Sequence, residues 1–193
     1  MHKYKLKMSK VGKKSILIPE GVKVEISGKK VKVQGPKGIL EREFKGNFVF
    51  ELEGNELKVK PSQTLKNKES AFWGTNRSIL QGMIKGVSEG FTKVLEFEGI
   101  GYRAEANERE LSLFVGYTKP VILKIPHGIS VNITKNTIII NGIDSQQVGE
   151  FAAKVRKVRL PEPYKGTGIK YQGEVIKRKA GKKLAGAAGT PAT

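Results

Sequence analysis

Residues 16–35 read ILIPEGVKVEISGKKVKVQG and carry the pattern that decides the fold. Apolar and polar side chains alternate from Val22 to Ile26 and again from Val31 to Val33, on either side of a Gly-Lys step. Alternation with a period of two is typical of strands that bury one face, and a short step containing glycine is typical of a tight turn. The stretch therefore predicts a β-hairpin.

The same pattern occurs a second time in residues 123–142, LKIPHGISVNITKNTIIING, at a constant offset of 107 residues. The Ile-Pro-x-Gly sequence at 18–21 returns at 125–128. The matched positions that follow are Val24, Ile26, Val31, Val33 and Gly35 in the first copy, and Val131, Ile133, Ile138, Ile140 and Gly142 in the second. An ungapped match at about half the chain length predicts a duplicated domain.

One helix is expected to complete each copy. In the first half, spacings of three and four predict a buried helical face formed by Phe72, Asn76, Ile79, Met83 and Val87. In the second half, Asp144 is the expected N-cap, and Pro161 and Pro163 are expected to terminate the helix. The apolar face of this second helix is predicted to consist of Val148, Phe151, Ala152 and Val155.

These patterns predict an α+β fold of two similar duplicated domains, each a mainly antiparallel sheet packed on one helix, followed by a basic C-terminal tail. The remaining strands are expected within residues 40–60 and 91–126. The predicted boundaries are 1–89 for the N-terminal domain, with a basic arm at 1–14, 90–160 for its duplicate, and 161–193 for the Gly-rich tail.

The composition excludes several classes of protein. The 193 residues include no cysteine, which excludes disulfide frameworks, thiolate zinc sites and cysteine nucleophiles. No apolar run approaches the about 18 residues that a membrane span needs. The N-terminal stretch MHKYKLKMSKVGKK has no apolar segment after its lysines. We therefore expect neither a membrane span nor a secretory signal peptide.

The net charge of +18 is concentrated at the two ends of the chain. Residues 1–14 carry six lysines and no acid, and residues 154–183 carry eleven Lys and Arg against only Glu162 and Glu174. The residues between these two ends carry a net charge of only +3. A nearly balanced body with basic ends predicts attachment to a polyanion.

Residues 161–183, PEPYKGTGIKYQGEVIKRKAGKK, follow the last helix without apolar periodicity, so we expect them to contribute little to a protein core. Their cations can neutralise phosphates, their glycines permit close backbone approach, and their tyrosines can stack on bases. A solvated basic tail is the alternative. The predicted RNA-binding residues are Lys154, Lys157, Arg159, Pro161, Tyr164, Lys165, Gly166, Gly168, Lys170, Tyr171, Gly173, Lys177, Arg178, Lys179, Lys182 and Lys183.

Several features that resemble catalytic or ligand-binding sites have simpler explanations. One group of acids lies on predicted strands and turns, where alternation puts most of them on a solvated face, although an acid–base pair is the alternative: Glu96, Glu98, Glu105, Glu108 and Glu110. His127 falls in a turn that matches Glu20 of the first copy. The glycine steps at 99–101 and 166–168 lack the Gly-Lys-Ser/Thr of a phosphate-binding loop. No catalytic residue, metal ligand or cofactor is predicted.

Three side chains of the first helix need separate interpretations. Trp73 and Phe72 are expected to pack in the core rather than to stack on bases. Arg77 is open to either a packing or a nucleic-acid role.

Five stretches together resemble one family: MSKVGKKSILIPEGV from Met8, AFWGTNRSILQGMIKGVSEGF from Ala71, GIGYRAEA from Gly99, VGYTKPV from Val115 and VRLPEPYKGTGIKYQGEVIKRKAGK from Val158. On these stretches the chain resembles the bacterial-type large-subunit ribosomal protein six family over about residues 8–183. The last stretch is the most specific. Thr167 departs from the family, which usually has Lys at that position.

The resemblance implies a non-enzymatic structural constituent of the large ribosomal subunit, located on the ribosome in the cytoplasm. It implies binding to large-subunit rRNA near the sarcin-ricin loop, with neighbouring large-subunit ribosomal proteins and nearby translation factors as further partners. A membrane, a small-molecule substrate and a cofactor are not expected. The alternative is a free-standing nucleic-acid-binding protein or RNA chaperone, which would bind many unrelated RNAs or DNAs equally.

Overall fold

The computed structural model describes residues 10–62 and 67–179. The elements of the first half are β1 (Ile16–Leu17), β2 (Lys23–Ser27), β3 (Lys30–Gly35), β4 (Gly38–Glu43), β5 (Phe48–Glu53), β6 (Glu56–Pro61) and α1 (Asn67–Ser88). The elements of the second half are β7 (Phe91–Glu98), β8 (Arg103–Ala106), β9 (Glu110–Phe114), β10 (Val121–Lys124), β11 (Ile129–Thr134), β12 (Thr137–Gly142), α2 (Ser145–Val158) and β13 (Gly168–Tyr171).

Among the described residues, each half of the chain contains two sheets. The first half has sheets of order β1-β6-β5 and β2-β3-β4, and the second half has β10-β9-β8 and the four-stranded β11-β12-β7-β13. The pairings β1–β6, β5–β6, β2–β3, β3–β4, β8–β9, β9–β10 and β7–β13 are all antiparallel. The predicted α+β class is confirmed, although each half builds two sheets where one was predicted.

The predicted hairpins form strands β2–β3 and β11–β12, and their buried positions repeat. Val31 and Val33 are fully buried in the first copy, as are Ile138 and Ile140 in the second. The backbone repeats as well. Gly21 and its counterpart Gly128 have φ angles of 84° and 82°, and the turn residues Gly28 and Lys135 have φ angles of 61° and 52°. The sequence repeat is therefore a repeat of structure, down to the left-handed residue at each turn.

The chain divides into two compact units. One contains the described residues up to Thr92 together with Pro126–Ser130 and Ile140–Glu150. Its core surrounds one face of α1, where Trp73, Leu80 and Val87 are buried. The Trp73 indole Nε1 donates a hydrogen bond to the carbonyl of Val59 at 2.7 Å, so the core position predicted for Trp73 is confirmed.

The prediction that Phe72 packs in this core is wrong, because half of its surface, 51%, is exposed. The buried face of α1 runs through Trp73, Asn76 and Leu80, and Phe72 lies on its flank. Arg77 is also buried, and its guanidinium donates to the carbonyls of Lys14 and Ser15, both at 3.2 Å. These contacts give Arg77 a packing role.

The other unit contains Lys93–Ile125, Val131–Ile139 and the described residues from Phe151 onward. Its fully or almost fully buried side chains are Leu95, Phe97, Leu111, Leu113, Val115, Ile138, Phe151, Ala152, Val155 and Ile169. Residues 161–183 were expected to contribute little to a core, and the fully buried Ile169 is one contribution that the sequence pattern did not predict. Strand β13 pairs with β7, with Gly168 opposite Glu98 and Tyr171 opposite Leu95. Four residues are too short to show a clear alternation, and the edge of β7 supplies the hydrogen bonds that make them a strand.

Candidate nucleic-acid interface

Helix α2 begins as the sequence predicts and presents cations on its outer face. The Asp144 side chain caps it, because Oδ1 accepts a hydrogen bond from the backbone N–H of Gln146 at 2.8 Å. Val148, Phe151, Ala152 and Val155 form the buried face that was predicted. Lys154 and Lys157 are exposed. The helix thus orders two of the predicted RNA-binding lysines.

Residues 159–169 form a closed loop. The N–H of Ile169 donates to the carbonyl of Arg159 at 2.8 Å, which joins the two ends. Inside the loop, the N–H of Gly166 donates to the carbonyl of Glu162 at 3.0 Å, and the N–H of Glu162 donates to the carbonyl of Thr167 at 2.8 Å. The loop holds the side chains of Tyr164, which is 55% exposed, and Lys165 towards solvent.

The protein's own packing requires Gly168. Its φ is 143°, and a Cβ atom there would lie 2.6 Å from the Cα of Pro161 and 2.7 Å from the carbonyl oxygen of Leu160. Any larger residue would collide with backbone. Gly168 was predicted to give close access to RNA; packing alone explains why this position is glycine, and contact with RNA stays a prediction.

Glu174 joins the turn after β13 to helix α2. The Arg156 guanidinium donates twice to the Glu174 carboxylate, from Nη2 to Oε1 at 2.6 Å and from Nε to Oε2 at 3.2 Å. The backbone N–H of Tyr171 donates to Oε2 at 3.1 Å. The hydrogen bond from Arg156, followed by that from Tyr171, holds the pKa of the Glu174 carboxyl below its ordinary value. Arg156 is therefore hydrogen-bonded within the protein, although the neighbouring Lys154 and Lys157 are exposed.

Lys170 is also engaged within the protein. Its Nζ lies 3.6 Å from Oε2 of Glu98 and 3.9 Å from Oε2 of Glu96, on the neighbouring strand β7. Only a quarter of its side chain is exposed. A phosphate contact by Lys170 stays a prediction, and it would have to compete with two carboxylates.

The other cations of the segment are exposed at the surface, where the Arg178 guanidinium lies against Gly166. Lys165, Lys177, Arg178 and Lys179 are exposed, and none of them has an ion pair with an acid within the described residues. The N–H of Lys179 donates to the carbonyl of Pro163 at 2.9 Å, which fixes the end of the segment against the loop. Lys182 and Lys183 lie outside the described residues. We call the exposed cations Lys154, Lys157, Arg159, Lys165, Lys177, Arg178 and Lys179 the basic surface.

Two tyrosines that the sequence analysis did not select lie next to this basic surface. The Arg159 guanidinium carbon lies 5.3 Å from the centre of the Tyr117 ring, and the Tyr117 hydroxyl donates to the carbonyl of Val158 at 3.0 Å. The Tyr117 hydroxyl, followed by Tyr102, raises the pKa of Arg159. The stretches GIGYRAEA and VGYTKPV already stood out in the sequence, but nothing local in them shows that they meet Arg159.

The alternative sites receive no support from the geometry. Glu96 and Glu98 face Lys170, while Glu105, Glu108 and Glu110 are exposed. Across 10–62 and 67–179, no group of three or more His, Cys, Asp or Glu is arranged to hold a metal ion. Neither helix in these ranges is long and apolar enough to cross a membrane. His127 lies exposed in a turn, as predicted.

Comparison with known proteins identifies close relatives. The model of the family described as Ribosomal protein L6 matches twice, at residues 18–90 and 98–172, in agreement with the internal repeat. A protein of Sphingopyxis alaskensis named Large ribosomal subunit protein uL6 is 48% identical over 177 residues, which are 91% of this chain and 99% of the relative. Proteins of the same name from Listeria monocytogenes and Erythrobacter litoralis are 47% and 44% identical, each over 91% of this chain and 98% and 99% of the relative.

Proposed function

The chain belongs to the ribosomal protein L6 family, and from this membership we propose that it is a structural component of the large ribosomal subunit that binds large-subunit rRNA. Its relatives are named as ribosomal proteins of that subunit, in agreement with the prediction that the chain is not an enzyme. We propose that the basic surface is the main RNA contact and that the protein acts in the cytoplasm, on the ribosome.

The observation that supports this proposal is that the acids of residues 154–179 bind within the protein, whereas the cations of the basic surface are exposed. Both acids of the segment are already hydrogen-bonded within the protein, Glu174 to Arg156 and Glu162 to the hydroxyl of Thr167 at 3.2 Å. The two acids therefore help to hold the segment in its folded conformation, and the cations of the basic surface remain exposed. Such cations displace counterions from RNA phosphates, and this displacement drives binding.

The segment is a fixed surface rather than a flexible polycation in the residues described. Strand β13, the 159–169 loop and the contact between Lys179 and Pro163 hold its backbone. Fixed cations match one arrangement of phosphates better than others, so a folded RNA is a better ligand than an arbitrary polyanion. A fixed surface of this kind favours a ribosomal component over a general RNA chaperone.

We further propose the finer location that the family resemblance implies, near the sarcin-ricin loop and close to the sites where translation factors dock. The domain boundaries at residues 89 and 160 are part of the same proposal. The role that we propose for the protein there is to hold RNA helices in position.

The proposal is tested by sedimenting cell lysate on sucrose gradients at low and high salt and detecting this chain in each fraction. We expect it to comigrate with large subunits after the high-salt wash. A triple variant, Lys165→Ala, Arg178→Ala and Lys179→Ala, should shift to the light fractions. The matched control removes three exposed lysines of the first hairpin, Lys23, Lys29 and Lys30, and should stay with the subunits.

Recovery of the wild-type chain in the light fractions at modest salt would contradict the proposal and favour a free-standing RNA-binding protein. Equal retention of both triple variants would contradict the assignment of the basic surface. Chemical probing of the rRNA with and without the protein would test the location, because protected nucleotides should lie in and around the sarcin-ricin loop.

A further inference from the structure

Three loops of the second unit converge beside the basic surface, at residues 99–102, 116–120 and 158–160. The Tyr117 hydroxyl bonds to the carbonyl of Val158, and the Arg159 guanidinium lies over the Tyr117 ring. Tyr102 packs between two of the loops, because a Cβ atom on Gly99 would lie 2.7 Å from its ring and one on Gly116 would lie 3.4 Å from it. We call Tyr102, Tyr117 and Arg159 the tyrosine–arginine cluster.

The cluster leaves large apolar surfaces exposed to water. Tyr117 is 48% exposed although its hydroxyl is anchored, so the ring is held in place with much of its surface free. Ile100, at the tip of the first loop, is fully exposed, and Leu160, next to Arg159, is 56% exposed. Apolar residues exposed in loops that meet at a fixed ring are typical of a surface that a partner covers.

Charge indicates the chemistry of that partner. Arg159 and Lys119 are exposed, and within the residues described neither has an ion pair with an acid. Arg159 is also bound through its own carbonyl to Ile169, so the cluster continues directly into the basic surface. A polyanion that reaches the basic surface would therefore reach the cluster as well.

We propose that the tyrosine–arginine cluster is a stacking platform for an unpaired base of the bound RNA. The inference rests on the proposed RNA-binding function and adds the class of RNA feature that is recognised. A phenol ring and a guanidinium plane are the surfaces on which unstacked bases pack, and such stacking depends little on base identity. Ile100 and Leu160 would shield the edges of the stacked base from water. The ligand is thus RNA with a bulge or loop, not a continuous duplex.

The test measures the affinity of deproteinised large-subunit rRNA for the full chain at several salt concentrations. Tyr117→Ala removes the platform, and Tyr117→Leu keeps an apolar side chain but removes the flat ring. Both should weaken binding about tenfold and leave the dependence on salt unchanged, because stacking releases no counterions. Phe72→Ala, which removes an equally exposed aromatic ring of the first unit, is the matched control and should have no effect.

Chemical probing of base reactivity provides the second readout. One or more unpaired bases should be protected by the wild-type chain and by Phe72→Ala, and should become reactive with Tyr117→Ala. Far-UV circular dichroism and thermal unfolding show whether each variant is folded. If Tyr117→Ala does not fold, Tyr117→Leu carries the same comparison.

Three results would overturn the inference and leave the proposed function intact. Wild-type affinity and base protection with Tyr117→Leu would show that no stacked base depends on the ring. A smaller salt dependence in the Tyr117 variants would show that the cluster acts through phosphates. Normal binding to naked rRNA combined with failure to join the subunit would point to a neighbouring protein. Failure of the wild-type chain to bind the rRNA would overturn the proposed function and the inference together.

Discussion

Arg156 and Glu174 form a two-pronged hydrogen-bonded ion pair that joins helix α2 to the turn after strand β13, with the shorter contact at 2.6 Å. Both side chains are 28% exposed, so the pair is partly shielded from water. The Arg156 guanidinium carbon also lies 5.8 Å from the centre of the Tyr171 ring. Arg156 thus fixes the segment that leads to the exposed cations Lys177, Arg178 and Lys179. Its own guanidinium is not available to RNA.

Replacing Glu174 by Gln should destabilise the protein by about 1–2 kcal/mol at neutral pH, because a partly buried guanidinium loses its charged partner. The free energy of unfolding from urea titrations measures this change. Glu89→Gln removes the exposed i,i+4 pair with Lys85 and serves as the control. It should cost less than about 0.5 kcal/mol. Equal effects of the two variants would contradict a special role for Glu174.

The stabilisation from Glu174 should depend on pH. Its folded-state pKa is lowered, mainly by the hydrogen bond from Arg156. The unfolded state therefore takes up the proton first as pH falls, so the contribution is complete above the unfolded carboxyl pKa and is lost as pH falls through the folded value. Urea titrations at pH 7 and at successively lower pH should show the difference between wild type and Glu174→Gln shrinking. A difference that is independent of pH would contradict this assignment.

Arg156→Ala and Lys165→Ala should affect RNA binding in different ways. Lys165 is exposed, so its loss should reduce the slope of log affinity against log salt by about 1. Arg156 is occupied by Glu174, so its loss should lower affinity through disorder of the segment and leave the slope unchanged. Salt titrations of rRNA binding distinguish the two. Lys23→Ala, in the first hairpin, is the control and should change neither quantity.

Thr167→Lys should increase the salt slope by about 1, because it adds a cation two residues from Lys165. The substitution removes the hydrogen bond from the Thr167 hydroxyl to Glu162, an exposed contact of small stabilising value. Thr167→Val removes the same hydrogen bond without adding charge and is the matched control. An unchanged slope with Thr167→Lys would place this position outside the RNA contact.

Glycine-to-alanine substitutions at positions 168 and 149 should change stability in opposite directions. At Gly168 the new Cβ would collide with the backbone of Leu160 and Pro161, and we expect a loss of about 2 kcal/mol or more. At Gly149, inside α2, a Cβ atom would meet nothing within 4 Å. Alanine there should stabilise by about 0.5–1 kcal/mol through helix propensity. Thermal unfolding of the two single variants measures both changes in stability. A stabilising effect of Gly168→Ala would contradict the prediction.

Local sequence patterns predicted the parts of the fold that local interactions determine. Hairpins β2–β3 and β11–β12 each lie within about twenty residues, so their alternation contains both the strands and the turn. The cap at Asp144 likewise involves a neighbour only two residues away. Such features depend little on the rest of the chain, and the repeat at an offset of 107 supplied a second, independent reading of the hairpin.

Features that depend on distant residues were missed or misplaced. Ile169 is buried only because β7, about seventy residues earlier, offers its edge to β13. Tyr117 joins the basic surface only because its loop meets Val158 and Arg159. Phe72 was assigned to the core because the spacing of apolar residues by three and four fits two neighbouring faces of the helix. One face includes Phe72, and the other, shifted by one residue, is the face that is buried. Charge identified the basic segment, but it did not distinguish the inward-facing Arg156 and Lys170 from the exposed cations.

The left-handed residue at each hairpin turn bears on how the two copies have diverged. Gly28 adopts this conformation without steric cost, whereas Lys135 adopts it at a cost of about 1 kcal/mol. The two turns therefore allow a glycine and a lysine in the same backbone conformation to be compared within one molecule. The effect of a substitution at Lys135 can be compared with the turn at Gly28, which holds the same backbone conformation with a glycine.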